Sequence, residues 1–197
     1  MKAVVIVDTG GANLASLRYA LARLGTRAVV SRDARQIAGA ARVLLPGVGA
    51  AAPAMRRLER LGLVPVLRAL TQPVLGICLG MQLLCARSEE GPAECLGLLP
   101  EPVRALTPAP GRPVPHMGWN ALRAVKSDPL LAGVPDGSYA YFVHSYMVAP
   151  GEHALAHAHY GTPLAAAVRR ANFWGTQFHP ERSAATGAQL LRNFLAL

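Results

Sequence analysis

The sequence predicts an α/β fold: a mostly parallel, twisted sheet flanked by helices, with an antiparallel extension. Three observations carry this expectation. Short apolar runs rich in Val, Ile and Leu lack polar alternation, which is how strands buried on both faces of a parallel sheet read. A stretch with helical periodicity separates the first two runs. After about residue 90 the texture changes to prolines, turn signals and short strand-like segments. With 197 residues, 52% hydrophobic and 16% charged, the chain holds enough apolar material for one domain spanning 1–197, whereas two domains would each be short of core.

Residues 3–7 (AVVIV) open the sheet. Residues 13–24 follow as a helix, because Leu14, Leu17, Leu21 and Leu24 recur at helical spacing and Gly25 supplies a C-terminal stop. Residues 28–30 and 43–45 are the next strands, so the chain begins with a βαβ unit. Residues 54–70 are helical in pattern, with Pro65 a candidate break. Residues 74–77 make a fourth strand, and 81–87 a helix that starts directly after it. Prolines cluster between Pro92 and Pro115. Residues 139–148, 154–160 and 165–168 then read as antiparallel strands added to the same core, with turn signals at Pro135-Asp136-Gly137, Pro150-Gly151 and Tyr160-Gly161. Residues 173–178 are the last strand, and Ser183 is a candidate N-cap for a closing helix carrying Leu190, Leu191, Phe194 and Leu195.

Composition narrows the function. No run approaches the roughly 20 apolar residues of a membrane helix. The N-terminus lacks the features of a secretory signal, so a soluble, cytoplasmic protein with no membrane partner is expected. Cys78, Cys85 and Cys95 are odd in number and lack CxxC spacing, which suggests neither a disulfide framework nor a zinc ribbon. Cys85 and Cys95 read as buried packing thiols. The net charge of +9 would suit an anionic partner. Yet the basic residues are scattered apart from Arg56-Arg57 and Arg169-Arg170, and no aromatic-basic signature accompanies them, so no nucleic-acid partner is expected. His153, His157 and His159 form a cluster open to a metal reading, but only Glu152 stands near as a further ligand. No metal and no cofactor are expected there.

The sharpest local signal is Gly76-Ile77-Cys78-Leu79-Gly80, placed where a buried strand turns directly into a helix. This reads as a G-x-nucleophile-x-G elbow with cysteine in place of serine. A strained turn exposes the side chain at the tip of the sheet, and flanking glycines remove the Cβ atoms that would clash. The helix N-terminus favours a thiolate, and the N–H of Leu79 can face a developing oxyanion. Tight packing alone is the competing account of the same pattern. The second signal is Gln177-Phe178-His179-Pro180-Glu181. Residues two apart in extended chain share a face roughly 6.5 Å apart, so the carboxylate can turn to the imidazole. Pro180 biases His179 away from helix and stiffens the pair. A purely structural buried His-Glu pair competes here. Together the two segments make a Cys-His-Glu set, the nucleophile, base and orienter of acyl transfer.

With these residues assembled, the sequence resembles the class I, triad-type glutamine amidotransferases. The likeness is carried by D-T-G-G-A-N at 8–13, L-P-G-V-G at 45–49, G-I-C-L-G-M-Q-L-L at 76–84, P-H-M-G-W-N at 115–120, Y-F-V-H-S-Y at 141–146 and G-T-Q-F-H-P-E-R-S at 175–183. It implies that family's flavodoxin-like sheet, with Cys78 as nucleophile, His179 as general base and then acid, and Glu181 as orienter. It also implies an oxyanion hole from Leu79 with Val48 or Gly49, and glutamine held among Gly47, Gln82, His144, Ser145 and Tyr146. From the residues alone, His144 and Tyr146 read equally as core-edge packing. Segments 115–120 and 141–146 look most like the branch that feeds a two-protein synthase of histidine biosynthesis. That implies a heterodimer with a separate (β/α)₈-barrel cyclase subunit that receives ammonia, with Asn13, Met117, Trp119 and Asn120 facing the partner. Trp119 by itself invites a core or an interface reading. A different triad glutaminase, or a non-catalytic binding module on the same fold, are the rival readings.

Overall fold

The computed structural model describes residues 3–10 and 14–197. In chain order, β1 (Val4–Val7) leads to α1 (Leu14–Arg23), β2 (Ala28–Ser31), α2 (Ala34–Ala38), β3 (Arg42–Gly47), α3 (Ala51–Arg60), α4 (Leu63–Arg68), β4 (Val74–Cys78) and α5 (Leu79–Leu84). Five more strands follow: β5 (Arg87–Ser88), β6 (Ala93–Glu94), β7 (Val103–Ala105), β8 (His116–Ala121) and β9 (Arg123–Ala124). The chain closes with β10 (Tyr139–His144), β11 (Tyr146–Val148), β12 (Ala154–His159), β13 (Pro163–Arg170), β14 (Phe173–Thr176) and α6 (Ala184–Ala196).

The central sheet has the order β2-β1-β3-β4-β14-β13-β12-β9. It is parallel from β2 through β14 and antiparallel beyond. Its apolar strands alternate between two separate cores. Val5, Val7, Val43, Leu45 and Val74 pack with Met55, Leu58, Leu63, Leu67 and Leu83 on one face. Val4, Ile6, Leu44, Leu75 and Ile77 pack with Leu17, Leu21, Phe142, Leu190 and Phe194 on the other. Both faces are therefore covered, which is why these strands show no polar alternation. Among the described residues no helix is long and apolar enough to cross a membrane.

Several expectations need correction. The helical stretch 54–70 divides at Gly62, which adopts a left-handed φ of 65°, and not at Pro65. Pro65 sits in the first turn of α4, where a backbone N–H would have no intrahelical acceptor. The elbow helix begins at Leu79 and ends at Leu84, two residues earlier and three residues earlier than its pattern suggested. The short α2 was not anticipated; the Asp33 carboxylate caps it by accepting from Gln36 N at 2.8 Å. Segment 139–148 is two strands in different sheets: β10 pairs with β8, and β11 with β7. Neither joins the central sheet, and both partners, β7 and β8, lie in or beside the proline-rich stretch. Ser183 does precede α6, but its hydroxyl does not cap the helix. It donates to the His179 carbonyl at 2.7 Å and accepts from Tyr141 N at 2.9 Å, tying the chain after β14 to β10.

Candidate active site

The close packing of β3, β4 and α5 dictates the elbow. A Cβ on Gly80 would stand 1.6 Å from the Leu45 carbonyl oxygen, and one on Gly76 2.7 Å from the backbone of Gly80 and Met81. One on Gly47 would meet Leu79 Cβ at 3.0 Å. With no slack on either side, Cys78 turns through φ 54°, ψ −112°, a conformation costly for any residue with a side chain. The strain delivers its thiol to a pocket at the C-terminal end of the parallel strands, and leaves Leu79 in the first turn of α5, where backbone N–H groups have no intrahelical acceptor.

His179 and Glu181 reach that pocket from the end of β14. The segment is clamped to β10 by His179 N donating to the Tyr141 carbonyl at 2.9 Å, beside the Ser183 hydroxyl bonds. His179 Nδ1 and Glu181 Oε1 are 2.8 Å apart and both side chains are buried. His179 Nε2 is buried with no hydrogen-bond partner among the described residues. Burial alone would lower the basicity of this imidazole. Cys78 and Glu181 act in the opposite direction and prevail, holding it up at about 10. Gln177 Nε2 donates to Cys78 Sγ at 3.8 Å, and the thiol donates to the Val143 carbonyl at 3.8 Å.

The pocket encloses about 300 Å³, room for an amino-acid side chain and its α-groups. Every residue expected at the nucleophile, base, orienter, oxyanion and substrate positions lines it: Cys78, His179, Glu181, Leu79, Val48, Gly49, Gly47, Gln82, His144, Ser145 and Tyr146. The detail differs from expectation at two of them. Gln82 Nε2 donates to the Tyr146 carbonyl at 2.9 Å and to Gln177 Oε1 at 3.0 Å, which leaves its Oε1, an acceptor, for a ligand. Both ring nitrogens of His144 are engaged within the protein, by the Tyr146 carbonyl at 2.8 Å and His116 Nδ1 at 2.9 Å, so only its backbone can serve a ligand.

Glu90 and Arg182 also line the pocket and were missed. Glu90 belongs to Glu89-Glu90-Gly91, which reads as an ordinary acidic turn. Its Oε2 accepts from Ala51 N at the start of α3 at 3.2 Å, and burial pushes its carboxyl upward against that bond. Gln177 was quoted only as part of a motif, and nothing local marked its contact with sulfur.

Outside the pocket, β8 and β10 present an apolar face: Met117, Trp119 and Tyr139 are 63%, 52% and 60% exposed. Trp119 meets Tyr141 edge-on with centroids 6.0 Å apart, and the Arg182 guanidinium lies 4.5 Å over the Tyr141 ring. Asn120, expected on this face, alternates to the other side of β8, where its amide is held by His116 Nε2 at 3.2 Å and the His159 carbonyl at 3.0 Å. Asn13 lies outside the described residues. Cys85 and Cys95 are buried and free, and burial raises both thiols, Cys95 to about 11. His153 pairs with Glu101 at 2.7 Å.

The family model described as glutamine amidotransferase class-I matches residues 5–197. The chain is 56% identical over 197 residues to the imidazole glycerol phosphate synthase subunit HisH of Xylella fastidiosa (strain Temecula1), covering 100% of this chain and 98% of that one. It is 54% identical over 194 residues to the protein of the same name from Idiomarina loihiensis, covering 98% and 97%. Among solved structures it resembles a glutamine amidotransferase (TM-score 0.75, 23% identity, 98% and 97% covered) and PurLQS from Thermotoga maritima (TM-score 0.74, 18% identity, 100% and 99% covered), likenesses of fold.

Proposed function

The chain belongs to the class I glutamine amidotransferase family, and on that premise we propose that it is the glutaminase subunit of an imidazole glycerol phosphate synthase, hydrolysing glutamine and passing ammonia to a cyclase subunit in histidine biosynthesis. The observation that carries this reading is the convergence, in one pocket, of a thiol on a strained elbow with a buried His-Glu pair contributed about a hundred residues later.

In this reading Cys78 Sγ, having given its proton to His179 Nε2, attacks the side-chain amide carbon of glutamine. The oxyanion that forms is held by backbone N–H groups of Leu79 and of Val48 or Gly49. The imidazolium returns the proton to the departing nitrogen, releasing ammonia and leaving a γ-glutamyl thioester on Cys78. A water, deprotonated by His179, then cleaves the thioester to glutamate and restores the thiol, so glutamine plus water gives glutamate plus ammonia. Glu181 holds the ring and balances its charge. The α-ammonium of glutamine meets acceptors at Glu90 and Gln82 Oε1, and its α-carboxylate the backbone around Ser145.

Ammonia generated here must avoid bulk water, where it is protonated. The exposed aromatic face around Met117 and Trp119 supports docking of the cyclase subunit, a separate (β/α)₈ barrel in this proposal, beside the pocket. The three buried free cysteines suit a cytoplasmic, reducing setting. The test is glutamate release with and without the cyclase subunit. Glutamate should accumulate and be stimulated by the partner; no glutamate under either condition would overturn the proposal.

A further inference from the structure

A chain of hydrogen bonds runs from Asn120 on β8 to the pocket wall, and each step has one permitted direction. Asn120 Nδ2 lies 3.2 Å from His116 Nε2, His116 Nδ1 2.9 Å from His144 Nε2, and His144 Nδ1 2.8 Å from the Tyr146 carbonyl oxygen. A carbonyl only accepts, so His144 carries its hydrogen on Nδ1. The Nε2 of that neutral ring then accepts, His116 Nδ1 donates, and His116 Nε2 accepts from Asn120. The Asn120 amide is oriented the same way by independent bonds: its Oδ1 accepts from Ala121 N at 2.8 Å and its Nδ2 donates to the His159 carbonyl at 3.0 Å. Both imidazoles are thus Nδ1–H tautomers, the form that free histidine disfavours.

At the inner end, the Tyr146 carbonyl accepts from Gln82 Nε2 as well as from His144. Two pocket elements, the Ser145-Tyr146 backbone and the Gln82 amide, therefore hang on one oxygen whose orientation His144 shares in setting. His116 lies outside the pocket, stacked between Phe142 at 4.9 Å and Tyr160 at 4.1 Å.

We propose that His116 is a positioning residue for glutamine binding: by donating to His144 Nε2 it fixes that ring's tautomer and, through the Tyr146 carbonyl, the groups that face the substrate. The inference rests on the glutaminase reading of the pocket. An added proton anywhere in the chain would set two N–H groups against each other in a buried place. Burial, the main cause, holds both rings well below the ordinary imidazole range, at about 4. Without the His116 donor, the Tyr146 carbonyl alone holds His144 in the disfavoured Nδ1–H form with a buried, unpaired Nε2, and the ordinary Nε2–H form, which points an Nδ1 lone pair at the Tyr146 oxygen and repels it, competes.

The test uses the protein assembled with its synthase partner. His116→Phe keeps a flat ring between Phe142 and Tyr160 but removes the donor, whereas His116→Asn retains an N–H near the Nδ1 position. His116→Phe should raise KM for glutamine about tenfold while kcat changes less than about threefold, and His116→Asn should recover most of that loss. In the unmutated protein, long-range ¹H–¹⁵N spectra between about pH 6 and 8 should show both rings neutral and protonated at Nδ1. An Nε2–H form at either ring overturns the proposal without any variant, as does a folded His116→Phe with unchanged KM, or equal KM increases in the Phe and Asn variants. Absence of hydrolysis in the unmutated complex would instead fail the glutaminase reading and leave the tautomer result standing.

Discussion

His179 and His144 line the same pocket, both buried, yet their surroundings drive them in opposite directions. His179 has a carboxylate at 2.8 Å and a thiol beside it, and is held up at about 10. His144 has a carbonyl on one side and a second imidazole on the other, and is pushed down to about 4. Desolvation opposes the charged form of both. What differs is whether an anion or potential anion stands within reach. The lesson is that one wall of the pocket favours a protonated imidazole and the other a neutral one, the division that the proposed reaction needs if a fixed hydrogen-bond pattern is to hold glutamine while the charge opposite changes.

The strongest way to break this comparison is at the sulfur. Cys78→Ala should lower glutamine hydrolysis by on the order of 10⁴-fold or more, because nucleophile and base act as a unit. Synthesis from added ammonium salts by the assembled complex should persist. Substantial glutamate release by this variant would remove Cys78 from its assigned role. Next in size is Glu181→Gln, which keeps the shape but takes away the anion that orients and stabilises the imidazolium. Turnover should fall roughly 10²–10⁴-fold with the fold intact by circular dichroism. A fall of less than about fivefold would mean that the ring is oriented by something else.

Glu90 tests the opposite wall. If it meets the α-ammonium of glutamine, Glu90→Gln should raise KM about 10–100-fold with a smaller effect on kcat, the signature of a lost charge-assisted bond that ground and transition states share. A kcat effect with KM unchanged would place Glu90 elsewhere in the cycle. Smaller still, Trp119→Ala should weaken assembly with the cyclase subunit about tenfold, as loss of a central aromatic anchor does, while Cys78 remains reactive toward a thiol alkylator. Unchanged affinity in a titration would move the docking surface off β8.

The proton-carrying wall was legible in the sequence because its geometry is local. Gly76, Cys78 and Gly80 lie within one turn, and His179 and Glu181 two residues apart on either side of a proline, so the elbow and the His-Glu pair could be read from spacing. The parallel half of the fold was legible for the same reason: Val5, Val43 and Val74 sit in runs whose apolar character on both faces has one common explanation. The substrate wall depends on contacts between distant segments. Glu90 enters the pocket from a turn that looks like solvent-exposed loop. His116 meets His144 only because β8 pairs with β10 in a separate sheet, with His116 opposite His144 in register. Reading 139–148 as one strand concealed that pairing, since the break at Ser145 shows only in the tertiary arrangement. Asn120 was expected outward because the resemblance implied a partner-facing role for the 115–120 segment as a whole, but in a strand neighbours face opposite ways, so Trp119 and Asn120 cannot share one face.

Stability, unlike activity or assembly, most directly sharpens the contrast, because the two walls should give opposite pH dependences of it. His179 is raised from an ordinary value near 6.5 to about 10, so its contribution is fully present below about pH 6.5 and lost as pH rises through about 10. Glu181→Gln removes an anion that sustains that shift, so its stability cost should be greatest near pH 6 and shrink toward pH 10. His116 is lowered to about 4, and there the unfolded chain takes up the proton first. Stability should fall as pH drops from about 6.5 toward 4, by at most about 1.4 kcal/mol per pH unit for each such ring, and His116→Phe should make that fall shallower. Urea unfolding midpoints of the three proteins across this range decide the matter. If all three gave parallel curves, the two walls would not differ in the state of their histidines, and the division of labour between them would fail.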